Sequence, residues 1–235
     1  MSDWIDALIG AKSPSEAANV FLDSLGAFDV VNVSHRVLIG EGDLSSFTTA
    51  PAAWRTYYFE QGFNRLDPSV LKARTANGPV SSCFDEAYPG YTATGRVREM
   101  FDGTREAVGA GALCVYFRSR WSTNMVTVFT DTPGHRFDSW AECHGAQLTM
   151  RGAVFSEKMQ ALLAPEIAHV LDISGLTERE MDCISWLAHG LRVSAIAHRL
   201  GWSERTVEFH LTNARKKFGA PTRESLVAKV SMAQA

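Results

Sequence analysis

The sequence predicts an α+β chain: an N-terminal α/β/α sandwich on a mainly antiparallel sheet, then a small all-α domain of helix-turn-helix type. Three observations point to it. Runs rich in β-branched residues, VVNVSHRVLI (30–39), ALCVYF (112–117) and MVTVFT (125–130), lie among segments of helical period. The last sixty residues hold no such run and break into short amphipathic stretches punctuated by caps and glycines. Charge divides at the same place: from Leu176 onward nine Lys and Arg face six Asp and Glu, +3, while the remainder has 14 against 20, −6.

The first element opens on Ser13-Pro14-Ser15-Glu16, a capping box with proline at the first helical position, and runs through Ala18, Val20, Phe21 and Leu25. The strand 30–39 follows. Helices are expected at Ala52–Gln61, Pro68–Ala76, roughly Ala93–Phe101 and, after the other two strands, Phe137–Leu163. In this last helix Phe137, Trp140, Leu148, Phe155, Met159 and Leu162 form one apolar stripe suited to covering a sheet. Ala141, Cys143, Ala146, Met150, Ala153 and Val154 extend apolarity past it, which suggests a second subunit against that edge. The helix at 52–61 is unusual: WRTYYFEQGFNRLDP puts Trp54, Tyr57, Tyr58, Phe59 and Phe63 together and ends on Asp67-Pro68. A core helix would favour Leu, Ile and Val. This composition suits surrounding a guest, although an aromatic helix packed on the sheet, with Asp67 capping the helix at Pro68, fits as well.

The C-terminal part starts at Thr177 with Glu180 three residues on, a capping box, and continues through Met181, Ile184 and Leu187 to His189-Gly190. A second helix is expected from an N-cap at Ser194, with Ile196, Ala197 and Leu200 inward, stopped by Gly201. Ser203 caps a third, with Val207, the His210/Leu211 edge, Ala214 and Phe218 inward. Two short helices about a glycine turn make a helix-turn-helix, whose second helix suits the DNA major groove. Its outward residues Arg205, Glu208, Phe209, Thr212, Arg215 and Lys216, with Lys217 beside them, offer cations for phosphates and short polar or aromatic groups for base edges.

Other classes find little support. No apolar run approaches the roughly 18–20 residues of a membrane helix, and MSDWIDALIG lacks the features of a signal peptide, so a cytoplasmic protein is expected. Cys83, Cys114, Cys143 and Cys183 are scattered without metal spacing, so reduced thiols and no metal site are expected. His135 and Cys143-His144 invite a nucleophile, but i, i+1 neighbours on a helix do not face each other, and GxSxG, Walker and HExxH patterns are absent, so no catalytic residue is assigned. His210 fits packing or phosphate contact better than metal binding.

The run LTEREMDCISWLAHGLRVSAIAHRLGWSERTVEFHLTNARKKFGAPTRESLVAKV resembles the DNA-binding domain of LuxR-type transcription factors, with LTxRE, AxG, IAxxL, TVxxH and KxG…R in order. The resemblance implies a fourth helix at Thr222–Ser231 with Leu226 and Val230 inward. It also implies base-facing roles for Glu208, Phe209 and Thr212, and phosphate contacts from Thr206, Lys216 and Lys217. Ala195 stands where the family usually has Glu. Trp54, Tyr58 and Asp67-Pro68 are similar to the WxxxY and DP signature of the acyl-homoserine-lactone-binding domain of quorum-sensing LuxR-type receptors. That implies Trp54 donating to a lactone carbonyl, Asp67 accepting a ligand amide N–H and Tyr58 reaching the acyl carbonyl. An amphiphile with two carbonyls and one amide needs such groups inside apolar walls. Ser82 stands where the family carries a second Trp, with Phe84 as the nearby aromatic. Gly111 matches a family glycine, Val115 replaces a family proline, and Thr127 falls near a position of a small hydroxyl.

The expected architecture is thus a ligand-binding and dimerisation domain at 1–163, a linker at 164–175 and a four-helix DNA-binding domain at 176–235. The expected function is a ligand-responsive transcriptional regulator with no cofactor beyond a small-molecule autoinducer. Its expected partners are a palindromic double-stranded DNA operator, a second copy of itself and RNA polymerase, with no membrane. A ligand-independent regulator or dimerisation decoy with an aromatic core is the alternative.

Overall fold

The structure, a computed structural model, describes residues 3–39, 42–73, 75–118 and 122–233. It divides into two compact units, one of Met1–His35, Ser46–Phe117 and Met125–Leu162, the other of Arg36–Ser45, Arg118–Asn124 and Leu163–Ala235.

In the first unit, α1 (Asp3–Gly10) and α2 (Pro14–Ser24) precede the sheet. The Ser13 hydroxyl accepts the Glu16 N–H at 3.1 Å, and the Glu16 carboxylate reaches back to the Lys12 N–H, closing the start of α2 as its sequence requires. The five strands, β1 (Val30–Ile39), β2 (Gly42–Thr48), β3 (Val80–Cys83), β4 (Gly111–Arg118) and β5 (Thr123–Thr130), take the order β2-β1-β5-β4-β3 in an antiparallel sheet. β3 pairs antiparallel with β4 so that Ser82 faces Ala112 and Cys83 faces Gly111. The three expected strands form at or within two residues of their expected bounds. α1, β2 and β3 were not expected. GDLSSFT and VSSC are polar and short, and only the paired neighbours make strands of them.

One sheet face is covered by α6 (Gly134–Ser174), which starts three residues earlier than expected and continues past Leu163 to Ser174. Phe137, Trp140, Leu148, Phe155 and Met159 of the expected stripe are all buried, while Leu162 is half-buried and Leu163 takes the buried position. The Phe21 and Phe155 rings stack at 4.2 Å, and the Trp140 indole donates to the Phe28 carbonyl at 2.7 Å, tying α2 and its following turn to α6. Arg151 adds to this seam by donating to the Ser24 carbonyl while its guanidinium lies over the Trp4 and Phe28 rings. His35 of β1 is fully buried on this side, 3.3 Å from Ser156 and edge-on to Phe155.

Toward the other face lie α3 (Ala52–Glu60), α4 (Pro68–Lys72) and α5 (Gly95–Ala107). α4 ends four residues before the expected Ala76, while α5 runs six past Phe101; Arg74 lies outside the described residues.

The second unit contains α7 (Glu178–Ala188), α8 (Val193–Leu200), α9 (Glu204–Lys217) and α10 (Arg223–Ala233). Their core is Cys183, Ile184, Val193, Ile196, Ala197, Val207, Leu211, Ala214, Ala220, Leu226 and Val230. Thr177 and Glu180 form the expected capping box, and Ser203 caps α9 through the Thr206 N–H. Ser194 does not cap α8. The helix begins one residue earlier at Val193, behind Arg192, whose side chain makes no cap bond. Gly201 ends α8 at φ 68°, a left-handed conformation that glycine adopts without strain.

Candidate functional site

Alternation along β4 and β5 sorts the site residues between the two sheet faces. A Cβ on Gly111 would sit 2.4 Å from the Phe137 ring, and one on Gly152 of α6 would sit 3.2 Å from Val115, so the odd residues of β4 face α6. The even ones, Ala112, Cys114 and Tyr116, face the other way. There the Tyr116 hydroxyl donates to the Ser69 carbonyl of α4 at 2.8 Å, and the Cys114 thiol lies 3.4 Å from the Thr127 hydroxyl. Gly111 was expected among ligand contacts. Its placement against Phe137 instead makes it a packing residue that lets α6 approach the sheet.

On the α3–α5 side, the Tyr58 hydroxyl donates to Asp67 Oδ2 at 2.7 Å, while Asp67 Oδ1 accepts the Ser69 N–H at 2.8 Å and caps α4. Asp67 thus holds a tyrosine and starts a helix at once, the local consequence of an acidic residue before proline at the first helical position. Above this pair lies a box of rings. Trp54 is 5.8 Å from Tyr57, 6.3 Å from Tyr58 and 6.3 Å from Phe63, the last fully buried. No residue of α3 is fully buried even though four of its nine are aromatic, which sets it apart from the core helices.

Two further features position Trp54. Its six-membered ring occupies the space a Cβ on Gly103 would take, at 2.3 and 2.5 Å, so α5 carries glycine where the indole lies across it. α5 is tied to α3 by Tyr57 donating to Glu99 at 2.9 Å and by Arg96 donating to the Gln61 carbonyl at 2.6 Å, with the Arg96 guanidinium over Phe63. Ser82, half-buried, shares the sheet face of Ala112 through its register. Phe84 is buried and meets Phe101 of α5 edge-on at 4.9 Å, and Tyr91 meets Phe101 edge-on at 6.0 Å. Phe84, Phe101 and Tyr91 thus form an edge-to-face aromatic cluster that begins two residues after Ser82. Trp54, Tyr58, Asp67, Ser82, Phe84 and Thr127 come to one side of the sheet. Sequence reasoning missed Gly103, Cys114 and Tyr116. A glycine inside the helical pattern of α5 was the available signal for the first.

In the helical unit, α9 presents Arg205, Phe209, Thr212 and Lys216 to solvent, and Phe209 is 61% exposed. Arg205 and Lys216 make no hydrogen bond or ion pair among the described residues. Thr206 is engaged in the cap, its hydroxyl 2.8 Å from that of Ser203. Glu208 accepts a hydrogen bond from Arg223 of α10. His210, between Trp202 and Phe209, has a packing role.

Two of the cations expected to contact DNA are otherwise occupied. Lys217 Nζ donates to Glu180 Oε2 at 2.6 Å and to the Gly175 carbonyl at 2.7 Å. The Glu180 side chain is 4% exposed; burial alone would raise its pKa, but Lys217 and the Thr177 donors together hold it below the ordinary carboxylate value. Lys217 is thus a strut between α9 and the start of α7. Arg215 donates to the carbonyls of Ala220 and Pro221 and closes the turn into α10, so it too is committed to the fold. Burial pushes the Cys183 thiol up to about 12, which leaves it unreactive in the core. Among the described residues no cluster of His, Cys, Asp and Glu could hold a metal, and no helix is long and apolar enough to cross a membrane.

Comparison with known proteins matches both units. The autoinducer binding domain family covers residues 14–159, and the luxR family of bacterial regulatory proteins covers 174–230. The transcriptional activator VanR of Vibrio anguillarum is 31% identical over 188 residues, 76% of this chain and 72% of that protein. Among solved structures, the N-acylhomoserine-lactone-dependent factor CepR2 of Burkholderia cenocepacia shares the fold with a TM-score of 0.55 at 17% identity, over 71% of this chain and 95% of that one. SdiA in complex with octanoyl-rac-glycerol does so at 0.51 and 16%, over 98% and 92%.

Proposed function

Since the chain belongs to the luxR family of bacterial regulatory proteins and joins an autoinducer-binding domain to a helix-turn-helix domain, we propose that it binds an acyl-homoserine lactone or similar amphiphile between its sheet and α3–α5, and a palindromic operator as a homodimer. The observation that carries the ligand proposal is the Tyr58–Asp67 pair beneath Trp54: a donor and an acceptor within 2.7 Å of each other, in an aromatic box on a half-buried helix. Asp67 can accept an amide N–H while keeping its cap on α4. Tyr58 can turn its hydroxyl from Asp67 to a carbonyl, and Trp54 supplies an indole N–H. The Cys114–Thr127 pair and Ser82 lie on the same face, and Phe84 with Phe101 edge-on against it offers aromatic surface where the family's second Trp would stand.

The same pair also supports a second reading. Tyr58 and Asp67 already satisfy one another, as a ligand-independent regulator with an aromatic core would require. The two differ in linkage. A signal at about 100 times its dissociation constant, binding only the folded state, stabilises that state by about 2.7 kcal/mol. Mass spectrometry of an organic extract of protein produced with and without supernatant of its native host decides between them. A retained amphiphile, together with at least a tenfold weaker dose response for Asp67→Asn, is expected. A clean extract and an unchanged response would leave only the ligand-independent reading.

For DNA, Arg205 and Lys216 are the proposed phosphate contacts, Phe209 and Thr212 the proposed base-edge contacts, and Glu208 a base acceptor. Residues 1–163 are proposed as the sensing and dimerising domain and 176–235 as the DNA-binding domain, with 164–175 between. The protein acts without catalysis, in the cytoplasm, and meets RNA polymerase at the promoter. α6 carries the proposed dimer face, since Cys143, Ala146, Met150 and Ala153 are exposed opposite the stripe that covers the sheet.

A further inference from the structure

Glu208 poses a problem for a helix that meets DNA, because a carboxylate brought against phosphates is unfavourable on charge alone. The start of α10 answers it. Arg215, seven residues beyond Glu208 and on the same side of α9, draws the turn toward the helix by donating to Ala220 and Pro221. The turn then closes on itself. The Ser225 N–H donates to Thr222 Oγ1 at 3.1 Å and the Thr222 N–H to Ser225 Oγ at 3.0 Å. Arg223 leaves this fixed backbone directly beside Glu208 and donates to its Oε1, while the second carboxylate oxygen has no partner among the described residues. The two side chains are 38% and 46% exposed, so the pair adds little to folding. What it changes is the charge and orientation of one acceptor on the reading face.

We infer that Arg223 is a positioning residue for sequence reading: it neutralises Glu208 and holds its carboxylate so that the second oxygen accepts from a base amino group, cytosine N4 or adenine N6. This rests on α9 being the helix that reads DNA. Without Arg223, Glu208 becomes a bare, rotatable anion that repels every duplex and selects none. A direct phosphate contact by Arg223 would behave differently, since its loss would not depend on what stands at position 208.

The test uses the full-length protein and a randomised duplex library. Sites enriched by the wild type are titrated against wild type, Arg223→Met, Glu208→Gln and the double variant. Circular dichroism checks that each is folded, and Arg223→Lys serves as the conservative variant. Arg223→Met is expected to weaken binding at least tenfold to all duplexes and to erase preference at one operator position. Glu208→Gln should erase the same preference with little loss of affinity. Added to Arg223→Met, it should restore affinity to within about threefold of wild type, and Arg223→Lys should recover affinity better than preference. Equal losses from Arg223→Met in both backgrounds, with base preference kept, would overturn the inference in favour of a phosphate contact. Failure of the wild type to enrich any sequence would overturn the reading of α9 itself, and this inference with it.

Discussion

Replacing Lys217 by Met keeps its apolar stem and removes one ammonium, which isolates the strut at the base of the helix-turn-helix. That ammonium lies 2.6 Å from Glu180 Oε2 and 2.7 Å from the Gly175 carbonyl, against a carboxylate only 4% exposed. Breaking a fully buried pair by removing one partner costs about 3–5 kcal/mol. Lys217 is 35% exposed, so water replaces part of the lost interaction, and the Thr177 N–H still donates to Glu180 at 2.8 Å. The expected loss is therefore ~2 kcal/mol. Its pH dependence has a definite sign. In the wild type the Glu180 pKa is lowered, so the pair stabilises the fold above the unfolded value of 4.5 and loses that effect as pH falls through the folded one. In Lys217→Met burial is no longer offset by the ammonium, and the folded pKa moves up. The variant should therefore be weakest near neutrality and approach the wild type as pH falls toward the carboxylate range. Hydrogen exchange of the α7 and α9 amides in the full-length protein measures the local opening free energy directly. Glu180→Gln added to Lys217→Met should recover most of the loss, because a carboxamide needs no counter-charge. Unchanged exchange together with weaker DNA binding would refute the strut and return Lys217 to the phosphates.

Three other outcomes are expected. Gly103→Ala, which in a free helix interior would stabilise by about 1 kcal/mol, should yield no such gain and should weaken the signal response, because its Cβ displaces the Trp54 ring; a stabilised protein with an unaltered dose response would sink that role. Burial of His35 lowers its pKa from 6.5 to about 4, so the unfolded chain holds the extra proton between those values. Stability should drop as pH falls through that window, by ~3 kcal/mol at its lower end, and urea titrations of His35→Leu should lack the drop. Met150→Glu, at a residue 58% exposed on α6, should give folded monomer that binds operator far more weakly; an intact dimer in sedimentation would move the interface elsewhere.

What could be read from the residues alone was local or periodic. Ser13, Thr177 and Ser203 cap their helices through donors three residues away, and strand 30–39 forms over the stretch its composition marks. Asp67 caps α4 for the same reason. Trp54 and Tyr58 meet because a spacing of four puts them on one helix face, while Phe63 joins them only through the left-handed turn at Gly62. A cap needs only its neighbours, and a repeat needs only its period, so both survive without knowledge of the fold. The helix-turn-helix was legible for this reason, as were most of the residues that bury its core, though not Val193 or Ala220.

The tertiary structure decided what each side chain meets. β3 is four residues of low strand preference and exists because β4 offers a ladder. Gly111 looked like a pocket residue, yet the pleat turns it toward Phe137, and one residue of register separates that face from the one bearing Cys114 and Thr127. Among the α9 cations, Lys217 finds a carboxylate 37 residues away and Arg215 the carbonyls of the following turn, while Lys216, between them in sequence, makes no ion pair among the described residues. Sequence determines where a charge stands on its helix. Which charges remain available to a ligand or a phosphate depends on partners that only the folded chain brings within hydrogen-bond distance, because a cation held by a fixed acceptor has already exchanged part of its water for protein.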